Sequence, residues 1–238
     1  MAEVRMTFLE HLQELRDRVR VSLIIFVVAF GFGYAFSGDI IMAMWNDFTG
    51  HYDLGAMQPT LLATSVMSGF VSQLNVAFIV GGTCTLPVLL YELFLFIEPA
   101  LHKKHKMIAI KIMASSVVLF VLGVLFVYYV MLPLMLDFFV ESNAALGIRN
   151  MFAVEDFFEF VLFNLFIGGV SFQTPLIIIM ANRIGILPKE WLVRSRRWTI
   201  VIILVIAGIV TPDHSIISQF VLGGVMYVLF EVAVLFSK

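Results

Sequence analysis

The chain has 238 residues, of which 61% are hydrophobic and only 13% are charged. Charged residues make up about a quarter of soluble globular domains, so this composition excludes a soluble protein and indicates an integral membrane protein. The formal net charge of −2 does not point to nucleic acid as a partner, and the single cysteine, Cys84, excludes an internal disulfide and a cysteine metal cluster.

The chain begins with a short stretch that predicts an amphipathic helix running into the first apolar segment. Thr7 is expected to cap this helix, and Glu10 completes a capping box. Arg18 follows Glu14 by one helical turn and partly neutralises it. The apolar face comprises Phe8, Leu12, Leu15 and Val19, and the opposite, acidic face comprises Glu10, Glu14 and Asp17. These charges fit either a solvated helix end or an acidic surface at the membrane that receives a cationic ligand.

Six apolar segments follow, and they predict an all-α membrane protein with six transmembrane helices in a single domain over residues 1–238. The predicted helices cover residues 21–38, 70–97, 110–136, 157–182, 198–211 and 215–236. A spanning helix needs about 20 mostly apolar residues. The fifth segment is shorter than that, so either its flanking residues reach to the interface or the bilayer thins locally.

Basic residues predict the orientation of the chain, because loops on the cytoplasmic side are rich in Lys and Arg. Of the 15 Lys and Arg residues, only Arg149 falls in a loop on the opposite side. The sequence therefore predicts a multi-pass membrane protein with both termini in the cytoplasm. In the first outer loop, Ser37 or Asp39 is expected to cap an interfacial helix whose apolar face comprises Ile40, Ile41, Met44, Trp45 and Phe48.

Polar residues at membrane depth are costly and need a partner or a function. Gln173 precedes Thr174 and Pro175, so it either lines a cavity or bonds the carbonyl groups that Pro175 leaves free. Asn164 lies in the same helix but on the opposite side, so the two amides share a cavity only if the helix bends.

Two further carboxylates lie near the cytoplasmic end of the second helix. Glu92 and Glu98 flank Phe96, and they either balance the lysines that follow or join Glu14 in an acidic patch suited to a guanidinium ligand. Glu231 in the sixth helix is expected to pair with a basic residue. No metal motif, nucleophile elbow or catalytic set is present, so neither an enzyme nor a bound cofactor is predicted. The alternative function is a secondary transporter of a small cationic or amphipathic solute that uses Gln173, Asn164 and Glu92.

Four stretches resemble segments of the TatC family, the multi-spanning component of the twin-arginine protein translocase. Residues 11–18 read HLQELRDR and are similar to the family's HLxELRxR motif. Residues 87–101 resemble its second helix and first cytoplasmic loop, and residues 171–175, SFQTP, resemble its SFExP segment. Residues 211–231 resemble the region of its last two helices. Together the four stretches cover nearly the whole chain, in the family's order and spacing.

The resemblance implies a cupped six-helix bundle in the plasma (inner) membrane, with short fifth and sixth helices. It implies a core receptor that binds twin-arginine signal peptides at the cytoplasmic face and nucleates an oligomeric complex with single-span TatA/TatB-type partners. The complex would export folded cargo proteins, driven by the proton-motive force. Carried over by position, Glu14 is the principal acidic contact, with Arg16 and Phe96 beside it. The apolar part of the peptide would lie on the concave face near Gln173 and Asn164.

The chain departs from the family pattern at two positions. Where the family usually has a second glutamate in the cytoplasmic loop, this chain has His105, and Glu98 or Asp17 is hypothesised to compensate. Where the family has an intramembrane glutamate, this chain has Gln173, which keeps the hydrogen-bonding groups but cannot titrate. A mechanism that needs a protonatable group at that depth would therefore not work in this chain.

Overall fold

The computed structural model describes residues 8–51, 61–97, 103–147, 152–183, 185–210 and 216–237. Within these ranges the chain is helical apart from short connections and one two-residue strand pair. The helices are α1 (Phe8–Ala35), α2 (Ser37–His51), α3 (Ser68–Ile97), α4 (Lys103–Phe126), α5 (Leu132–Ala145), α6 (Val154–Ser171), α7 (Thr174–Arg183), α8 (Lys189–Arg194), α9 (Arg196–Val210) and α10 (Ile216–Phe236). The strands are β1 (Leu61–Leu62) and β2 (Phe152–Ala153), which pair in parallel.

Five segments of the described chain are long and apolar enough to cross a membrane. They are Leu12–Ala35, Ser68–Phe96, Ile110–Ala145, Val154–Arg183 and Ser218–Phe236. The predicted fifth span corresponds to α9, whose 15 residues rise about 22 Å. These segments confirm the predicted all-helical membrane protein.

The N-terminal amphipathic stretch and the first apolar segment form one continuous helix, α1. The predicted cap at Thr7 lies outside the described residues. A single residue, Phe36, separates α1 from α2, and the Ile40 N–H donates to the Phe36 carbonyl at 3.1 Å. Asp39 is the third residue of α2 and Ser37 is the first, so Ser37 does not occupy the capping position before the helix. Its buried hydroxyl donates instead to the Tyr34 carbonyl at 2.7 Å.

The predicted apolar face of α2 is confirmed, since its residues pack on the core. Phe48 is buried, and its ring lies 4.8 Å from that of Phe157 in α6. The ring of Trp45 lies 5.4 Å from the same Phe157. Aromatic pairs at these separations stabilise beyond their buried area, so α2 is anchored to α6.

The third apolar segment forms a helix that extends beyond its predicted end at Leu136. It continues as α5 to Ala145, and residues Val127–Met131 form one π-helical turn between α4 and α5. Asp137 and Glu141 in α5 are exposed. The charged residues therefore end the apolar segment without ending the helix.

Close approach between α4 and α6 depends on facing glycines. A Cβ built on Gly123 would lie 2.5 Å from the carbonyl oxygen of Gly168, a separation that real side chains do not adopt. Other helices also pack in pairs: α1 with α3, α3 with α6, α7 with α10 and α9 with α10. Small residues at such contacts let the backbones of membrane helices approach closely.

Candidate functional site

The packing of α1 against α3 brings two carboxylates to one guanidinium. Arg18 donates from Nη2 and Nε to Oε1 of Glu14, at 2.5 and 3.1 Å. Its Nη1 donates to Oε2 of Glu92 at 2.9 Å. The contact with Glu14 is the one-turn pairing that the sequence predicts, whereas Glu92 lies 74 residues away in the chain. The planar fork of an arginine fits this bridging role, because its N–H donors point in fixed directions.

The three side chains are sheltered but accessible. Their exposed fractions are 23% for Arg18, 21% for Glu14 and 15% for Glu92. Oε2 of Glu14 is buried and accepts no hydrogen bond from the residues that the structure describes. With two carboxylates and one guanidinium, the cluster carries a net charge of −1. It therefore retains both negative charge and an unused acceptor.

A shallow surface groove lies beside this cluster. Its walls combine the charged side chains with apolar ones from both helices: Leu15, Arg18, Val19, Leu89, Glu92, Leu93 and Phe96. In α3, the positions 89, 92, 93 and 96 recur at helical spacing, so they form one face. We call this feature the α1–α3 groove. Its accessible surface is apolar, and the side chains of Arg18 and Glu92 lie at its border.

The other residues proposed from the sequence for this site lie in different surroundings. Asp17 is exposed and pairs with Arg16 at 3.2 Å and with Arg20 at 3.5 Å, away from Glu14. Phe96 lines the α1–α3 groove. His105 belongs to the first turns of α4, where side chains are not described, and Glu98 lies outside the described residues. Of the predicted acidic residues that the structure describes, only Glu92 shares the Arg18 guanidinium with Glu14.

Gln173 lies at the break between α6 and α7, and it is only 1% exposed. Its Nε2 donates to the Ser116 carbonyl at 3.0 Å, and its Oε1 accepts from the Ser116 hydroxyl at 2.9 Å. The Thr174 hydroxyl donates to the Ser171 carbonyl at 2.7 Å and satisfies part of the interrupted ladder. Gln173 thus joins the α6–α7 break to α4 through both ends of its amide.

Asn164 is also buried, and its Nδ2 donates to the Phe160 carbonyl of its own helix at 2.8 Å. Gln173, Asn164 and Glu92, the residues named for a transporter site, therefore each bond a different partner. In this arrangement they do not converge on a common solute.

An ion pair also joins α9 to α10. Oε2 of Glu231 accepts from Nη2 of Arg196 at 2.8 Å, and Oε1 accepts from the Tyr227 hydroxyl at 2.8 Å. Lys189 of α8 donates to the Ser237 carbonyl at 2.8 Å, just after the end of α10. The predicted pairing of Glu231 with a basic residue is confirmed. Among the described residues, no group of three or more His, Cys, Asp or Glu side chains is placed to hold a metal ion.

Comparison with known proteins gives one consistent result. Residues 10–224 match the family model described as "Sec-independent protein translocase protein (TatC)". The chain is 30% identical to the protein TatCy of Bacillus subtilis (strain 168) over 234 residues, which cover 98% of this chain and 89% of that relative. It is 32% identical to TatC of Escherichia coli (strain K12), with coverage of 96% and 86%.

Solved structures agree with the sequence comparison. A crystal structure of the twin-arginine translocase receptor TatC in DDM superposes with a TM-score of 0.79 at 28% identity, covering 96% of this chain and all of the other. A second crystal structure of the receptor gives a TM-score of 0.77, with coverage of 95% and 97%.

Proposed function

Because the chain belongs to the TatC family of Sec-independent protein translocase proteins, we propose that it binds twin-arginine signal peptides at the α1–α3 groove. The observation that carries this proposal is the partly exposed cluster of Glu14, Arg18 and Glu92, which keeps a net negative charge beside an apolar wall. An arginine of the signal peptide would bond Glu14, and Phe96 would make a hydrophobic contact beside it. A carboxylate and an adjacent apolar surface match the charge and the hydrophobic stretch of such a peptide.

The membrane topology that we propose has six spanning helices and both termini in the cytoplasm. Four spans are formed by α1, α3, the continuous α4–α5 and the pair α6–α7. The hairpin of α9 and α10 supplies the two short ones. The distribution of basic residues supports this orientation, since all Lys and Arg except Arg149 fall on one side of the six spans. It puts the α1–α3 groove at the cytoplasmic interface, where an unexported cargo protein would arrive.

The transport role of the chain is that of a receptor and assembly core rather than of an enzyme. Single-span TatA/TatB-type partners would pack against its helices and supply the passage, and the proton-motive force would drive export of folded cargo. Gln173 occupies the position of the family's intramembrane glutamate, but it bonds Ser116 and cannot titrate. The proton-driven step therefore uses no carboxyl group at this position. A concave face close to Gln173 would receive the apolar part of the signal peptide.

Peptide capture tests the proposed receptor function directly. The purified chain is mixed with a signal peptide that bears two consecutive arginines, and with a matched peptide that bears two lysines. We expect retention of the arginine peptide, and its loss in Glu14→Lys, because this change reverses the charge of the principal contact. Glu190→Lys, an exposed carboxylate of α8, is the matched control and should bind normally. Equal capture of both peptides, or normal binding by Glu14→Lys, would refute the proposal.

Complementation of a translocase-deficient cell extends the test to transport. We expect the wild-type chain to restore export of a folded reporter that carries a twin-arginine signal peptide. Glu14→Lys should insert in the membrane and restore no export.

A further inference from the structure

The α1–α3 groove already contains a guanidinium on its carboxylates, and that guanidinium belongs to the chain itself. Arg18 places three N–H donors on Glu14 and Glu92. We propose that Glu92 is the second carboxylate of the peptide site and determines its preference for arginine, and that a peptide arginine replaces Arg18 on it. This inference rests on the proposed signal-peptide function and adds to it the residue that binds the second arginine of the peptide.

The position of Glu92 supports this role. It borders the groove, and 15% of its side chain is exposed, so the residue lies at the edge of the apolar surface and not in the protein interior. The same α3 face carries Phe96, one turn further along. By contrast, Asp17 is committed to Arg16 and Arg20 on the exposed side of α1. Glu92 is thus the described carboxylate whose geometry matches a two-point contact with Glu14.

The geometry also explains why the ligand would be an arginine rather than a lysine. Arg18 reaches both carboxylates at once, from Nη1 on one side and from Nε and Nη2 on the other. A second guanidinium has the same planar fork and reproduces this bridge. A lysine ammonium is a compact point charge with no such fork, so it does not reproduce the bridge between the two carboxylates.

Charge balance favours exchange over simple addition. The cluster has a net charge of −1, so two added guanidinium groups would leave a charge of +1 if Arg18 stayed in place. If Arg18 turns outward, two peptide arginines neutralise the two carboxylates. Arg18 is 23% exposed and therefore lies next to solvent, into which its flexible side chain can move. Oε2 of Glu14, which accepts no hydrogen bond within the described chain, then gains a donor.

Binding measurements on three variants of the full chain in detergent test this inference. Fluorescence anisotropy gives the Kd for a labelled peptide with two arginines and for its two-lysine counterpart. Glu92→Gln is expected to weaken binding of the arginine peptide by about tenfold or more and to reduce its preference over the lysine peptide. Glu92→Asp, which retains the charge, should restore part of both. Arg18→Gln should tighten arginine binding several-fold, because the peptide no longer competes with the internal guanidinium.

The results distinguish failure of the proposed function from failure of the present inference. If the wild type does not distinguish the two peptides, the proposed function fails. If the wild type prefers arginine while Glu92→Gln retains both the affinity and the preference, Glu92 is not part of the site and only the present inference fails. Weaker binding by a folded Arg18→Gln, with an unchanged unfolding midpoint, would overturn the exchange. Glu190→Gln serves as the control and should leave both Kd values unchanged.

Discussion

Gln173 and Ser116 exchange two hydrogen bonds across the contact between the α6–α7 break and α4, with distances of 2.9 and 3.0 Å. Both side chains are buried, and the bonds use the Ser116 hydroxyl and its carbonyl. The two residues thus satisfy each other where water is excluded. This pair holds the interrupted helix against α4 at the point where Pro175 removes a backbone donor.

Ser116→Ala should destabilise the fold, because it leaves the side-chain amide oxygen of Gln173, Oε1, buried without its donor. The expected cost is about 1–3 kcal/mol in the free energy of unfolding. Thermal unfolding in detergent measures it as a lower midpoint. Ser115→Ala, a change at the exposed neighbouring position in the same helix, is the matched control and should have little effect. Equal midpoints for the two variants would contradict this role for the pair.

Gly123→Ala should also destabilise the protein, by separating α4 from α6. The added Cβ would meet the backbone of Gly168 rather than a movable side chain, so the helices must shift. Overpacking of this kind costs about 1–3 kcal/mol. In contrast, a methyl group added at Gly31 in α1 would have no neighbouring atom within 4 Å. Gly31→Ala is therefore expected to leave the unfolding midpoint unchanged, and a comparable loss there would argue against a specific contact at Gly123.

Glu231→Ala should loosen α9 from α10, since it removes the acceptor shared by Arg196 and Tyr227. The pair is partly exposed, so the loss of overall stability should be at most about 1 kcal/mol. Amide hydrogen exchange is the more sensitive measurement, and we expect faster exchange in the first turns of α9. Glu190→Ala, which removes an exposed carboxylate from α8, should not change exchange in α9. The expectation fails if α9 is equally protected in the two variants.

His105→Glu is expected to strengthen binding of a twin-arginine peptide, because it adds the carboxylate that the resemblance to the TatC family leads us to expect at this position. An added charge at the edge of a binding site acts mainly on the association rate, and we expect an increase of about threefold or more. Stopped-flow measurement at low and high salt tests this, with His105→Gln as the uncharged control. An unchanged or slower association would show that the surface at His105 is not part of the site.

Features set by local spacing are predictable from the sequence, whereas contacts between distant segments are not. The apolar face of α2 and the break before Pro175 follow from residues within a few positions of each other. The Arg18–Glu14 pair also follows from one helical turn. Its link to Glu92 depends on how α1 packs against α3, which no local pattern encodes. The sequence alone therefore presents Glu92 only as a balancing charge, as a general member of an acidic patch or as part of a transporter site.

Two differences between the predicted and observed helices have a similar origin in the surroundings of the residues. The apolar segment stops before Asp137, which predicts a helix end at Leu136, but Asp137 and Glu141 occupy exposed positions of α5, so the helix continues to Ala145. Serine and aspartate favour the N-cap position, which predicts a cap at Ser37 or Asp39. The structure begins α2 at Ser37 itself, one residue after the end of α1, and the Ser37 hydroxyl donates to the Tyr34 carbonyl.

The π-helical turn at Val127–Met131 makes the chain tolerant of a change in length at this point. A π turn accommodates one more residue than an α turn, and each residue of an α-helix advances by about 100°. Removal of a single residue here would convert the π turn into an α turn and leave the helix beyond it at nearly the same rotation. Met135 and Leu136 would then stay in the core. The same deletion in the regular part of α4 would rotate everything beyond it by about 100°, so single-residue deletions should be better tolerated in this turn than in α4.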